Sequence, residues 1–362
     1  MHRKELDWLR GLMATSIMLY HYNYWMFPQN NQLFNSLLTK LGVYAVSIFF
    51  ILSGLSMSLA YDEYFDNKYK ILTFFIRRIF RIWPVLWVAV IISVIVPAIF
   101  RIKFYSVGTI FLNLTTLFGF FKPDAYIPSG AWSIGNEMVY YSFTPILIPA
   151  FRKNKVLGNS LFIVATFFAF YWAETKILPA QSSGNVWPYY INPFNNLYFY
   201  IAGIAIYYNF RTLEMKKNIN IIGLIIAISL FIATSGNSLI TGIGRVVFSV
   251  LSIAIVFLFY KTTFKLPKIF DSSMNHLAVI SYSVYLFHPI IYNYGHEFFN
   301  MIFGIENKVF FYFSSVVLTL LISSLSYKYF EKPLVVLGKN ISKNFYNKCM
   351  QISTKFSQST EG

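Results

Sequence analysis

Arg10 and His21 stand inside the first hydrophobic stretch of the chain, W-L-R-G-L-M-A-T-S-I-M-L-Y-H-Y-N-Y-W-M-F over residues 8–27. On a helix their separation is about 16 Å along the axis, and about 100° per residue returns them to nearly the same face. An ionised guanidinium and a titratable ring are costly in a lipid-buried helix, and such groups usually serve a substrate or proton path. Asp7 lies one turn before Arg10, a spacing that suits an i,i+3 ion pair. A plainer reading of Arg10 is an anchor whose head reaches the inner interface. For His21 it is a hydrogen-bonded interior histidine.

Four further clusters carry polar chemistry. R-R-I-F-R-I-W-P at 77–84 packs Arg77, Arg78 and Arg81 before a proline. Arg78 and Arg81 share a helix face, and paired guanidinium forks suit phosphate oxygens. The alternative is a topology patch against lipid headgroups. In G-A-W-S-I-G-N-E-M-V-Y-Y at 130–141, Glu137 is a carboxylate that could orient a histidine and stabilise its protonated form. Alternatively it faces interfacial water. Ser133 reads as a helix N-cap rather than an acyl carrier. S-Y-S-V-Y-L-F-H-P at 281–289 supplies His288, and Arg245 lies in a separate apolar run. Both are supporting candidates, with structural roles equally open. Y-F-E-K-P at 329–333 reads as a helix stop before Pro333. A Walker loop, a Rossmann glycine pattern, HExxH and DDxxD-type carboxylate runs are missing from the sequence, so ATP, redox and metal-dependent prenyl chemistry lack support and no metal is expected.

The elements that must hold these residues follow from composition. Only 12% of the 362 residues are charged and 56% are hydrophobic, about half the charge of a soluble domain. Long uncharged runs predict an all-α, polytopic transmembrane bundle of about ten spans, near 8–27, 41–60, 82–100, 134–151, 157–173, 193–210, 219–235, 243–260, 277–294 and 309–327. Residues 105–121 are apolar but polar-interrupted, and are read as a short or re-entrant segment. With both termini cytoplasmic, the inner segments hold 22 Lys and Arg and the outer loops 6, a strong positive-inside bias. The net charge of +16 therefore belongs to topology and lipid headgroups, not to nucleic acid. Residues 1–338 are expected to form the membrane domain and 339–362 a short basic cytoplasmic tail. The single cysteine, Cys349, excludes an intrachain disulfide. No small-residue cleavage site follows the first span, which is expected to stay.

Six motifs, read in order, resemble the integral-membrane acyltransferase-3 family, which includes O-acetyltransferases of bacterial surface polysaccharides. They are E-L-D-W-L-R-G-L-M with His21, F-F-I-L-S-G-L at 49–55, R-R-I-F-R-I-W-P, A-W-S-I-G-N-E, S-Y-S-V-Y-L-F-H-P and F-E-K-P. The likeness runs from about residue 3 to 338. It implies a bacterial cytoplasmic (inner) membrane enzyme without a bound cofactor. The donor would be an acyl-CoA, usually acetyl-CoA, arriving from the cytoplasm. The acceptor would be a hydroxyl of a saccharide or lipid-linked saccharide, as in O-antigen, lipopolysaccharide, capsule or exopolysaccharide. It carries a catalytic role onto His21 and a donor-binding role onto Arg10, Arg78 and Arg81. W-S-I-G-N-E departs from the commoner form of its motif, and the soluble esterase-type domain of some members is not expected here.

Residues and resemblance combine into one expectation. Arg78 and Arg81, with Arg77 and Arg10, hold the donor phosphates at the inner mouth, and the pantetheine arm runs beside the first span. His21 is general base, with Glu137 orienting it. The competing class is a proton-coupled transporter or polysaccharide exporter using His21, Glu137 and His288 as a relay. Oligomeric state is left open.

Overall fold

The computed structural model describes residues 3–27, 32–235, 238–303 and 307–360. The first and last two residues of the sequence, and so the extreme ends of the expected domain and tail, lie outside the described residues. Regular structure among the described residues is all helical. In chain order it comprises α1 (Lys4–Met26), α2 (Gln32–Tyr61), α3 (Lys68–Ile99), α4 (Val107–Leu114), α5 (Phe118–Phe121), α6 (Trp132–Lys153), α7 (Lys155–Trp172), α8 (Leu178–Ser183), α9 (Trp187–Tyr190), α10 (Pro193–Phe210), α11 (Lys217–Ala233), α12 (Gly242–Lys261), α13 (Lys268–Phe303), α14 (Lys308–Ser326) and α15 (Lys332–Thr360). Wide turns at Ala173–Ile177 and Tyr327–Glu331 join α7 to α8 and α14 to α15. Chains this apolar favour helices because each segment satisfies its own backbone hydrogen bonds.

Five helical stretches are long and apolar enough to cross a membrane: Leu37–Tyr61, Lys68–Ile99, Lys155–Ser182, Gly242–Lys261 and Lys308–Ser353. The shorter α11 is also apolar. The other expected spans fall on α1, α6, α10 and α13, which form where the hydrophobic runs stand but carry more polar groups. Several of those groups are met by backbone carbonyls: Asn195 and Asn196 of α10 donate to Tyr190 O just ahead of their helix, and Tyr140 of α6 donates to Pro193 O.

Of two local expectations, the short segment at 105–121 is met and the helix stop at Pro333 is not. Residues 105–121 form the two short helices α4 and α5, broken at Thr116, whose φ is +60°. An eight-residue helix is about 12 Å long, too short to cross. The piece is held to α6 by backbone contact, since a Cβ on Gly119 would lie 2.5 Å from Gly135 O. The helix stop expected at Pro333 does not occur. The chain stays helical through the wide turn at 327–331 into α15, where Lys332 N–H bonds Tyr327 O. Pro333 then falls in the first turn of α15, a position that tolerates a missing N–H.

The core is built on close helix pairs: α1 between α2 and α13, α2 against α10, and α15 along α3. Small residues allow the approach. A Cβ on Gly54 would lie 1.9 Å from Tyr200 O, and one on Gly203 2.0 Å from Ile51 O. Rotamer change cannot relieve a clash with a carbonyl. Gly203→Ala is therefore expected to destabilise the protein by about 1–3 kcal/mol or more. A lowered Tm of the detergent-purified protein would report it, and an unchanged Tm would refute this account of the α2–α10 contact.

Candidate active site

A cavity of about 810 Å³ opens among α1, α2, α3, α6, α13 and α15. Chain direction orders its walls. One end lies at the starts of α1, α13 and α15 and the end of α2, with Arg3, Ala60, Asn275 and Lys339. The other lies at the start of α6 and midway along α2 and α13, with Val46, Ser133 and Tyr285.

Arg10 projects from α1 into this cavity. The i,i+3 pair forms, with Nη1 donating to Asp7 Oδ1 at 2.7 Å. Nη2 donates to Ser56 Oγ at 2.5 Å and Leu52 O at 3.3 Å, tying α1 to α2. Arg78 and Arg81 both line the cavity, as their shared face requires. The Arg78 guanidinium sits 5.6–5.9 Å from the ring centres of Tyr61, Phe74 and Tyr141. Its Nη2 donates to Tyr61 Oη at 3.2 Å, and its buried Nε has no hydrogen-bond partner. An unmet buried donor of this kind costs about 1–3 kcal/mol. Arg77 turns away and donates from Nε to Ser342 Oγ of α15 at 2.9 Å.

Glu137 is at the same cavity but not at His21. Its Oε1 accepts from Ser53 Oγ at 2.7 Å, and the Tyr141 hydroxyl also donates to it. Tyr141 in turn faces Arg78, so the carboxylate is coupled to the arginine cage. Ser133 is not an N-cap. Ala131 occupies that position, and Ser133 Oγ shares a 2.7 Å hydrogen bond with Tyr285 Oη. Both hydroxyls reach Gly130 O, at 3.1 and 2.9 Å, across a turn whose φ of +84° suits glycine.

His21 and His288 form a separate centre outside the cavity lining. His21 Nδ1 lies 2.8 Å from His288 Nε2, and the ring planes lie within 12° with centres 5.1 Å apart, so the two imidazoles meet edge to edge. Trp25 stacks on a face of His21 at 4.7 Å. His288 is fully buried, and its Nδ1 lies 3.0 Å from Val284 O. A carbonyl only accepts, so His288 Nδ1 carries a proton. In the neutral ring its Nε2 then accepts, His21 Nδ1 must donate, and His21 Nε2 keeps a free lone pair. Tyr22 Oη donates to His288 O at 3.0 Å. Tyr285 links the two regions: it lines the cavity, its ring is 6.1 Å from that of His288, and Phe49 meets it edge-on at 6.1 Å.

Arg245 stands apart, buried between α12 and α10. It donates to Asn195 Oδ1 at 2.9 Å and Asn195 O at 2.8 Å, as a structural brace does. Sequence reasoning passed over Ser53, Ser56, Tyr61, Tyr141 and Tyr285. Tyr141 had a signal, its i+4 spacing from Glu137, and Ser53 sits in the F-F-I-L-S-G-L motif. Tyr285 also had a signal, its place one turn before His288 in S-Y-S-V-Y-L-F-H-P, whereas Tyr61 reaches the site through tertiary packing, which no local spacing reveals. Glu331, read as part of a helix stop, is instead a buried cavity residue that accepts from Ser283 Oγ at 3.0 Å.

Comparison with known proteins places the chain in a family. Residues 3–328 match the acyltransferase-3 family profile, described as an acyltransferase domain. Proteins of Staphylococcus aureus strains COL and MSSA476, provisionally named O-acetyltransferases, are 24% identical over 366 residues, covering 91% of this chain and 56% of theirs. The chain thus spans little more than half the length of these relatives. Nodulation protein 10 of Rhizobium leguminosarum bv. viciae is 26% identical over 196 residues, 48% of this chain and 52% of that protein. No solved structure matches the chain. By its profile match across nearly the whole sequence, the chain belongs to the acyltransferase-3 family.

Proposed function

We propose that the protein is a bacterial cytoplasmic-membrane O-acyltransferase. It moves an acetyl group from acetyl-CoA, entering from the cytoplasm, to a hydroxyl of a cell-surface saccharide or its lipid-linked precursor. The observation that carries this reading is the cavity: arginines gather along its wall, and it ends at Tyr285, one turn of α13 before the histidine pair. The reading places ten spans in the bilayer with both termini inside, supported by the 22-to-6 charge bias. Membrane lipids are then its surroundings and anionic headgroups its inner neighbours.

Arg78 and Arg81 take the donor phosphates in this scheme, and Arg10 guards the wall beside them. Glu137 holds Tyr141 against Arg78 and so acts on donor geometry. His21 Nε2 removes the proton from the acceptor hydroxyl as its oxygen attacks the thioester carbonyl. The C–S bond breaks, the acyl group stays on the acceptor oxygen, and the CoA thiolate takes up the proton from His21. His288 Nε2 keeps the donated bond from His21 Nδ1 throughout, which fixes the ring. Movement of Phe49 or Tyr285 would join the cavity to that ring.

Mass spectrometry of surface glycans from strains with and without the gene tests the proposal. Loss of an acetyl group per repeat, with the polymer retained, is expected. Unchanged acetylation would overturn it, and loss of the whole polymer would favour an exporter.

A further inference from the structure

The long C-terminal helix α15 returns to the cavity. Lys332, Val335, Val336 and Lys339 all line it, the i, i+3, i+4, i+7 pattern of one helix face. The two lysines are about 10 Å apart along the axis. Their placement is fixed by packing on α3: a Cβ on Gly338 would lie 2.3 Å from Phe80 Cβ, and Arg77 Nε bonds Ser342 Oγ. Both lysine side chains are exposed, and among the described residues no carboxylate is bonded to either. They also lie beyond residue 328, where the family match ends.

The charge on the wall asks for a ligand. Six cationic residues line the cavity (Arg3, Arg10, Arg78, Arg81, Lys332, Lys339) against three carboxylates (Asp7, Glu137, Glu331). Each of those carboxylates already accepts from a neighbour in the protein. A coenzyme A thioester carries a 5′-diphosphate and, on the ribose, a separate 3′-phosphate. Arg78 and Arg81 share one face and suit the diphosphate. Lysine is a compact point charge that meets a phosphate monoester without a fixed fork. On the donor reading given above, we propose that Lys332 and Lys339 form a second anion subsite, which takes the 3′-phosphate of the donor. The C-terminal helix is then part of the donor site rather than a passive tail.

Binding of acetyl-CoA and of 3′-dephospho-acetyl-CoA to the full-length protein, in detergent free of anionic lipid, tests this subsite. Wild type is expected to favour acetyl-CoA by about tenfold, the scale of lost hydrogen bonds to a charged group. K332A/K339A should bind both compounds alike, near the wild-type affinity for the dephospho form. Because both side chains are exposed, elution profile and Tm should match wild type. K343A/K348A, on the same helix but off the cavity, should keep the preference. A double variant that retains it, or a control that loses it equally, would overturn the subsite. Nucleotide preference unchanged in K332A/K339A, with binding lost to phosphatidylglycerol vesicles, would assign the lysines to lipid headgroups and overturn it too. Failure of wild type to bind either compound would defeat the donor reading itself.

Discussion

His21→Ala is expected to lower acyl transfer by about two to four orders of magnitude, the range that general-base assistance supplies. Donor affinity should stay at the wild-type value, because His21 lies outside the cavity lining. A sugar hydroxyl is a very weak acid, so attack on a thioester needs a base at the moment of bond formation. The hydrogen-bond chain from Val284 O through His288 to His21 Nδ1 leaves His21 Nε2 as that base. His288→Ala should therefore lower kcat as well, by a smaller factor, since it removes the partner that sets the tautomer but not the base. Transfer of labelled acetyl in membrane vesicles, beside donor binding on the purified protein, measures both. Retained turnover in His21→Ala would sink the base assignment. Equal turnover in His288→Ala and wild type would leave the histidine pair as packing alone.

Arg78→Ala should act on the opposite side of the kinetic scheme. The expected result is a rise of about ten- to a hundredfold in the donor KM, from losing about 1.5–3 kcal/mol of charge-assisted hydrogen bonding. Turnover at saturating donor should change much less. Arg78→Lys is not expected to rescue, because the ring cage of Tyr61, Phe74 and Tyr141 fits a flat guanidinium with its fork of donors. Glu137→Gln should share this signature in weaker form. It removes the charge that receives the Tyr141 hydroxyl, and Tyr141 faces Arg78. A fall in kcat at constant KM for Glu137→Gln would instead return Glu137 to the base, and unaltered KM in Arg78→Ala would reduce the arginine cluster to a topology signal.

The different fates of these residues explain what could be read early. The helices were legible because apolar runs about twenty residues long leave the backbone few alternatives in lipid. Thus α10, α11 and α12 fall within two residues of the hydrophobic stretches that announce them. Arg78 and Arg81 were legible as a pair because their spacing sets a common face. The helix stop at Pro333 misled because a local rule met a wide turn that absorbs the proline. The expectation that Glu137 orients His21 rests on equal depth in a bundle, and equal depth is not contact. Depth follows from position along each helix, whereas contact depends on how each helix is rotated, and the α6 face bearing Glu137 meets Ser53 rather than α1.

The all-helical character, the charge asymmetry and the residue types available for acyl chemistry follow from composition, run length and spacing along one chain. Tertiary structure decided who meets whom. It paired His21 with His288, enclosed Arg78 in three rings drawn from α2, α3 and α6, turned Arg77 toward α15, and brought Lys332 and Lys339 to the cavity. Those choices depend on helix rotation and on close approaches such as Gly54 to Tyr200. These are relations between segments far apart in sequence, and no local period encodes them.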